Sequence, residues 1–185
     1  LTRLINQSSF IFFGKGCAAP SVSKMSSGQA EGVNPSGSGS MAGQHCDHQK
    51  LARVQGARVV IFSNLISPLR TQMQLDYPSY SYITTATLAA QITDHIRQIL
   101  GELSKLTITD MTAGVGGNSL DFACHFKLVH CIELDRLRFG YLVSNLRTAG
   151  LIHRTICYQT DSLPFIMKGI CQQDVIFFDP PKHFV

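Results

Sequence analysis

An α/β domain built on a doubly wound parallel sheet is what the sequence predicts, and three observations predict it. From Leu106 onward, short β-branched runs alternate with amphipathic stretches, the pattern of βαβ crossovers. A glycine turn, Gly114-Val-Gly-Gly117, directly follows the first of these runs. Four carboxylates, Asp110, Glu133, Asp161 and Asp179, stand at or just past the ends of four successive runs, where sheets of this kind bind ligands.

The elements can be justified in order. The chain has 185 residues, 44% hydrophobic and 15% charged, enough for one domain with a core plus a tail. Residues 1–50 are rich in Gly and Ser, as in Asn34-Pro-Ser-Gly-Ser-Gly-Ser40, and bury too little apolar area to offset chain entropy, so a disordered tail is expected. Its first acid is Glu31, after Arg3, Lys15 and Lys24; an acid-poor start resembles an organellar transit peptide, although no amphipathic helix shows and a plain flexible tail is the preferred reading. The chain begins with Leu, and Met25 or Met41 is a candidate true start. His45-Cys-Asp-His48 has metal-ligand residue types but no second pair at zinc spacing, so it reads as linker and no metal is expected.

Residues 51–81 form an N-terminal extension, with Arg58-Val-Val-Ile-Phe-Ser63 as an expected strand, Pro68 as a breaker and Tyr77–Tyr82 as an aromatic turn. The main domain runs from 82 to 185. Thr84 and Thr85 are candidate N-caps for a helix whose stripe is Leu88, Ile92, Ile96, Ile99, Leu100 and Leu103. Strands are expected at 106–111, 128–133, 155–158 and 175–178. Between them lie a helix at 118–126 and a helix capped by Asp135, carrying Leu137, Tyr141, Leu142 and Leu146 and stopped by Gly150.

Composition removes several classes of function. No apolar run approaches the roughly 20 residues of a spanning helix. Sixteen Lys and Arg against twelve Asp and Glu give +4, which permits an anionic partner without demanding one. The six cysteines show no CxxC pair; Cys124, Cys131 and Cys157 sit in apolar runs as small hydrophobes, so a reducing compartment without disulfides is expected.

The turn Asp110-Met-Thr-Ala-Gly-Val-Gly-Gly-Asn118 opens a helix, whose N-terminus favours negative charge, and its glycines allow close backbone approach. Ser119 stands where a dinucleotide fingerprint has its third glycine, and Asp110 would repel a pyrophosphate, so a zwitterionic ligand with an ammonium group fits better. Glu133, nineteen residues after Gly114, can accept both hydroxyls of a ribose. Asp161 is placed either to accept from an adenine amine or to cap the turn before Ser162. In Asp179-Pro-Pro181 the prolines fix a rigid extended turn without backbone donors. The Asp179 carboxylate and the Pro180 carbonyl are then two acceptors able to grip an exocyclic amine and aim its lone pair.

Residues from about 82 to 185 resemble class I methyltransferases, the Rossmann-like enzymes that use S-adenosylmethionine. The resemblance rests on Asp110, Gly114, Gly116, Glu133, Asp161 and Asp179-Pro180-Pro181. More narrowly, Thr112-Ala-Gly-Val-Gly-Gly-Asn118 with Phe122-Ala123, and Tyr82-Ile-Thr-Thr85 upstream, are similar to the trimethylguanosine synthase family, which methylates the guanine 2-amino group of RNA caps. The resemblance implies S-adenosyl-L-methionine as cofactor, held by Thr84, Asp110, Thr112, Gly114, Gly116, Gly117, Asn118, Glu133 and Asp161. It implies catalytic roles for Asp179, Pro180 and Pro181, RNA (possibly capped) as partner, and an intracellular, nuclear or cytoplasmic setting.

Two features depart from that pattern. Lys182 follows the second proline where the family has a base-stacking aromatic; Phe184, His183 or Tyr82 could supply the stacking face, or Lys182 could contact a phosphate. Only four strands of the expected seven-stranded sheet are present, so the sheet is expected to be truncated after the fourth strand, as a fragment or a degenerate copy. The expected function is methyl transfer to an exocyclic amine of a nucleic-acid base, foremost a cap guanine. The alternatives are a DNA or ribosomal RNA base amine methyltransferase and a non-catalytic cofactor-fold module binding RNA or protein. Oligomeric state is not legible.

Overall fold

The computed structural model describes residues 58–180, Gly56, and the backbone of two N-terminal strands. In chain order the elements are β1 (Thr2–Leu4), β2 (Phe10–Phe13), α1 (Ser67–Arg70), α2 (Ala86–Leu100), β3 (Thr107–Asp110), α3 (Gly117–His125), β4 (Leu128–Glu133), α4 (Arg136–Thr148), β5 (Thr155–Gln159), α5 (Ser162–Met167) and β6 (Val175–Phe178). They form one sheet in the order β1-β2-β6-β3-β4-β5. The four strands β6, β3, β4 and β5 are parallel, as expected, and β2 adds to β6 antiparallel.

Strand order decides where a ligand can sit. From β3 the chain steps outward to β4 and β5, then returns to place β6 on the other side of β3. The strand order therefore reverses between β3 and β6, and a crevice opens at their carboxyl ends, the topological switch point. Asp110 ends β3, and Asp179 directly follows β6.

One face of the sheet is the main core. Ile108, Val129, Cys131, Val175 and Phe177 point into it from the strands, and Ile92, Ile96, Phe122, Phe126, Leu142 and Leu146 meet them from α2, α3 and α4. Phe122 lies at its centre, edge-on to Phe126 at 5.8 Å and to Phe177 at 5.3 Å. On the opposite face His130, Tyr158 and Phe165 stack in sequence at 5.8 Å and 4.6 Å, and that stack holds α5 against the sheet.

Several expectations are corrected. The β-branched run at 58–63 is a helical turn at 58–61, not a strand, with the Phe62 N–H donating to the Arg58 carbonyl. Its burial explains the outcome: consecutive Ile61 and Phe62 are buried while Val59 and Val60 are exposed, which no alternating strand can do. Thr2–Leu4 and Phe10–Phe13 are strands within the stretch read as a disordered tail; the rest of residues 1–50, including His45–His48, lies outside the described residues. Leu88 and Leu137, both expected to face inward, are exposed, because Ala89 and Asn145 take the inner positions on their helices. Cys131 is buried and Cys157 half-buried, but Cys124 is exposed; these and Cys171 are free thiols. Among the described residues, no helix is long and apolar enough to cross a membrane.

Because Phe122 is fully buried and contacts two other rings, Phe122→Ala should cost about 3–5 kcal/mol of stability. Urea denaturation of the variant would show it, and a cost under about 1 kcal/mol would remove Phe122 from the centre of the core.

Candidate active site

The loop from β3 to α3 is held from below by a buried acid. Asp110 is wholly buried; its Oδ2 accepts from Ser119 Oγ at 2.7 Å and its Oδ1 from the Thr112 N–H at 3.3 Å. Burial pushes its carboxyl up to about 7, against the opposing pull of the Ser119 and Thr112 hydrogen bonds. The sequence places Asp110 within reach of a ligand's ammonium group, but the structure turns it inward, where it braces the turn.

The glycines explain the path of the turn. Gly116 has φ +104°, a conformation that L side chains rarely adopt. A Cβ on Gly117 would lie 2.6 Å from the Thr84 carbonyl oxygen, so only glycine lets this turn pack against the 83–84 segment. Thr84 is buried and its hydroxyl accepts from Asn118 Nδ2 at 2.9 Å, while Thr85 is the residue that caps α2. Asn118 Oδ1 is buried without a hydrogen-bond partner. A buried acceptor left open at a helix N-terminus is a place for a ligand's donor.

Glu133 ties the first turn to the second. Its Oε2 accepts the Gly114 N–H at 2.8 Å and its Oε1 the Asp135 N–H at 2.8 Å. Asp135 in turn caps α4 by accepting from the Arg138 N–H, as expected. Asp161 is exposed and caps α5 through the Leu163 N–H at 3.0 Å, so one of its two expected roles is met. Asp179 and Pro180 are half-buried, and the Asp179 N–H donates to Thr112 Oγ1 at 3.2 Å. Pro181 and the residues after it, among them Lys182, His183 and Phe184, lie outside the described residues.

Two features of the site were not read from the sequence. Asn145 is fully buried: its Nδ2 donates to the carbonyls of Gln74 and Val115, and its Oδ1 accepts the Gln74 N–H, stapling the 74 segment to the glycine turn. An Asn inside the stripe of Leu142 and Leu146 is the signal that could have found it. The second is a cluster beside Glu133. Arg138 lies over the Tyr82 ring at 5.2 Å and pairs with Asp76 at 3.4 Å, while burial raises the Tyr82 phenol above its ordinary range. One face of Tyr82, a candidate base platform, is thus taken by a guanidinium.

The donor set suits S-adenosylmethionine. An open buried Asn118 oxygen can receive an ammonium hydrogen, and Glu133 has lone pairs beyond its two backbone bonds. Among the described residues no group of His, Cys, Asp or Glu could hold a metal.

The raised carboxyl of Asp110 has a measurable consequence. Its folded-state value of about 7 lies above the ordinary 3.8, so its contribution to stability is full below about pH 4 and is lost as pH rises through about 7. Asp110→Asn removes that titration. Wild type should therefore lose stability relative to Asp110→Asn between about pH 4 and about pH 7 in chemical denaturation, and parallel pH curves would contradict the assignment.

Comparison with known proteins follows from this geometry. Residues 105–183 match the model of the RNA cap guanine-N2 methyltransferase family, which covers β3 through Asp179-Pro180-Pro181. An uncharacterized protein of Acanthamoeba polyphaga mimivirus is 32% identical over 153 residues, 71% of this chain, and the chain spans 59% of that protein's length. Among solved structures, a Pyrococcus horikoshii protein is 28% identical with a TM-score of 0.38, covering 50% of this chain and 34% of its own. TYW2 of M. jannaschii, solved with AdoMet, is 26% identical with a TM-score of 0.32, covering 38% of this chain and 32% of its own. The family match bears out the resemblance carried by Asp110, the glycine turn and Asp179-Pro180-Pro181, and with it the cofactor, S-adenosylmethionine. Through residues 105–183 the chain is similar to the RNA cap guanine-N2 methyltransferases.

Proposed function

We propose that this protein methylates an exocyclic amine of a nucleic-acid base, with the guanine 2-amino group of an RNA cap as the foremost substrate. The observation that carries the reading is the hydrogen bond from the Asp179 N–H to Thr112 Oγ1, which sets the first residue of the Asp-Pro-Pro motif against the glycine turn at the switch point. The match of residues 105–183 to the cap guanine family supports the choice of amine. A capped RNA substrate goes with a nuclear or cytoplasmic setting.

Each residue then has a defined task. Glu133 accepts the ribose hydroxyls with the lone pairs its backbone partners leave open. Asn118 Oδ1 accepts from the ammonium group, and Gly114, Gly116 and Gly117 let the backbone close on the methionine part. Asp161 offers the adenine amine its uncommitted oxygen. The Asp179 carboxylate and the Pro180 carbonyl accept the two hydrogens of the target amine and turn its lone pair toward the electrophile. The cofactor, when bound, supplies a methyl group on a positively charged sulfur. Positioning provides most of the acceleration, because the amine is uncharged and needs no prior deprotonation.

Glu133→Ala should weaken S-adenosylhomocysteine binding at least about tenfold, since charge-assisted hydrogen bonds contribute about 1.5–3 kcal/mol each. Calorimetry is the measurement, alongside circular dichroism to show an intact fold, and unchanged affinity would remove Glu133 from the site.

Asp179→Ala separates chemistry from binding. Labelled methyl transfer to capped RNA, with uncapped RNA and DNA as controls, should fall by about a hundredfold or more while cofactor affinity stays nearly constant. Near-normal turnover in the variant would overturn the amine grip. A wild type that methylates uncapped RNA or DNA but not capped RNA would move the substrate away from the cap.

A further inference from the structure

Thr112 ties the two halves of the crevice together. Its backbone N–H donates to Asp110 Oδ1 at 3.3 Å, and its hydroxyl accepts the Asp179 N–H at 3.2 Å. Asp110 Oδ2 takes the Ser119 hydroxyl at 2.7 Å. A continuous line of hydrogen bonds therefore runs from the first turn of α3, through a buried carboxylate and Thr112, to the first residue of the acceptor motif.

The chemistry of that motif makes the last bond decisive. Pro180 and Pro181 have no N–H, so within Asp179-Pro-Pro181 only Asp179 can be anchored through a backbone donor. Ring closure fixes φ at both prolines, and the residue before a proline is confined to extended conformations. What remains free is the placement of the whole rigid unit relative to β3. The Thr112 hydroxyl bonds to its first residue, and the Met111 N–H donates to the Phe177 carbonyl two residues earlier at 2.9 Å. The resemblance counts Thr112 among the cofactor ligands, yet its hydroxyl faces the acceptor side.

We propose that Thr112 is a positioning residue for methyl transfer, aiming the Asp179 carboxylate and the Pro180 carbonyl rather than holding cofactor. This inference rests on the amine methylation reading above. A device that sets orientation is expressed mainly in the transition state, so its loss should appear in kcat and little in binding.

Thr112→Val keeps the shape and deletes the acceptor, whereas Thr112→Ser restores the hydroxyl. In Thr112→Val, kcat on the RNA substrate should fall about tenfold or more, with S-adenosylhomocysteine affinity and the KM for RNA within about twofold of wild type. The Asp179 amide should exchange with deuterium faster in Thr112→Val, and Thr112→Ser should recover both turnover and protection. A merely structural role would lower stability without this split between kcat and KM and without rescue by serine. Loss of cofactor affinity in step with turnover would make Thr112 a cofactor ligand and overturn the proposal. Unchanged exchange at Asp179, or unchanged turnover in an active background, would overturn it alone. A wild type that methylates no amine on RNA or DNA would overturn the amine reading and this inference with it.

Discussion

The site depends on a carboxylate that burial penalises. Asp110 has no exposure to water, and among the described residues its side chain is compensated by one hydroxyl and one backbone N–H. An apolar residue there would avoid the desolvation cost, but it could hold neither Ser119 nor the Thr112 N–H. The strand-to-helix turn would then lose its two fixed points, one before the glycines and one after them. The acid is thus retained for geometry, and the raised carboxyl is the trace of what that geometry costs.

Everything above the acid is braced across strands. The Ala113 N–H reaches the Ile132 carbonyl, and the Gly114 N–H reaches Glu133 Oε2, so the turn after β3 is fastened to the end of β4. Asn145 fastens the same turn to the segment at 74 through the Val115 carbonyl. Glu133 therefore shapes the turn with both oxygens of one carboxylate, and in the proposed function its remaining lone pairs serve the ribose hydroxyls. Ligand-binding groups that also hold the backbone are preorganised, and no side-chain entropy remains to be lost when the ligand arrives.

Much of this was legible because local patterns were strong. β4 and β6 fall at 128–133 and 175–178 as read, since continuous β-branched runs in a buried parallel sheet have few other places to go. Asp135 and Thr85 cap their helices as their residue types suggest. The run at 58–63 misled because intrinsic β preference there is outweighed by the burial of adjacent Ile61 and Phe62, a tertiary demand that no window of residues contains. Glu133, Asp161 and Asp179 could be placed at strand ends, whereas the inward turn of Asp110 could not be foreseen. Its direction is set by Ser119, a residue noticed in the sequence only as the absence of a glycine.

The two halves of the crevice are braced by different kinds of hydrogen bond. On the cofactor side, backbone donors at 2.8 and 2.9 Å run from the turn to β4, and a buried asparagine closes the back. On the acceptor side, the Asp179 N–H meets a side-chain hydroxyl at 3.2 Å, beside a backbone bond from Met111 to Phe177. The Thr112 hydroxyl is thus a point at which a side chain of the glycine turn meets the backbone after β6, so a shift of either segment is felt by the other.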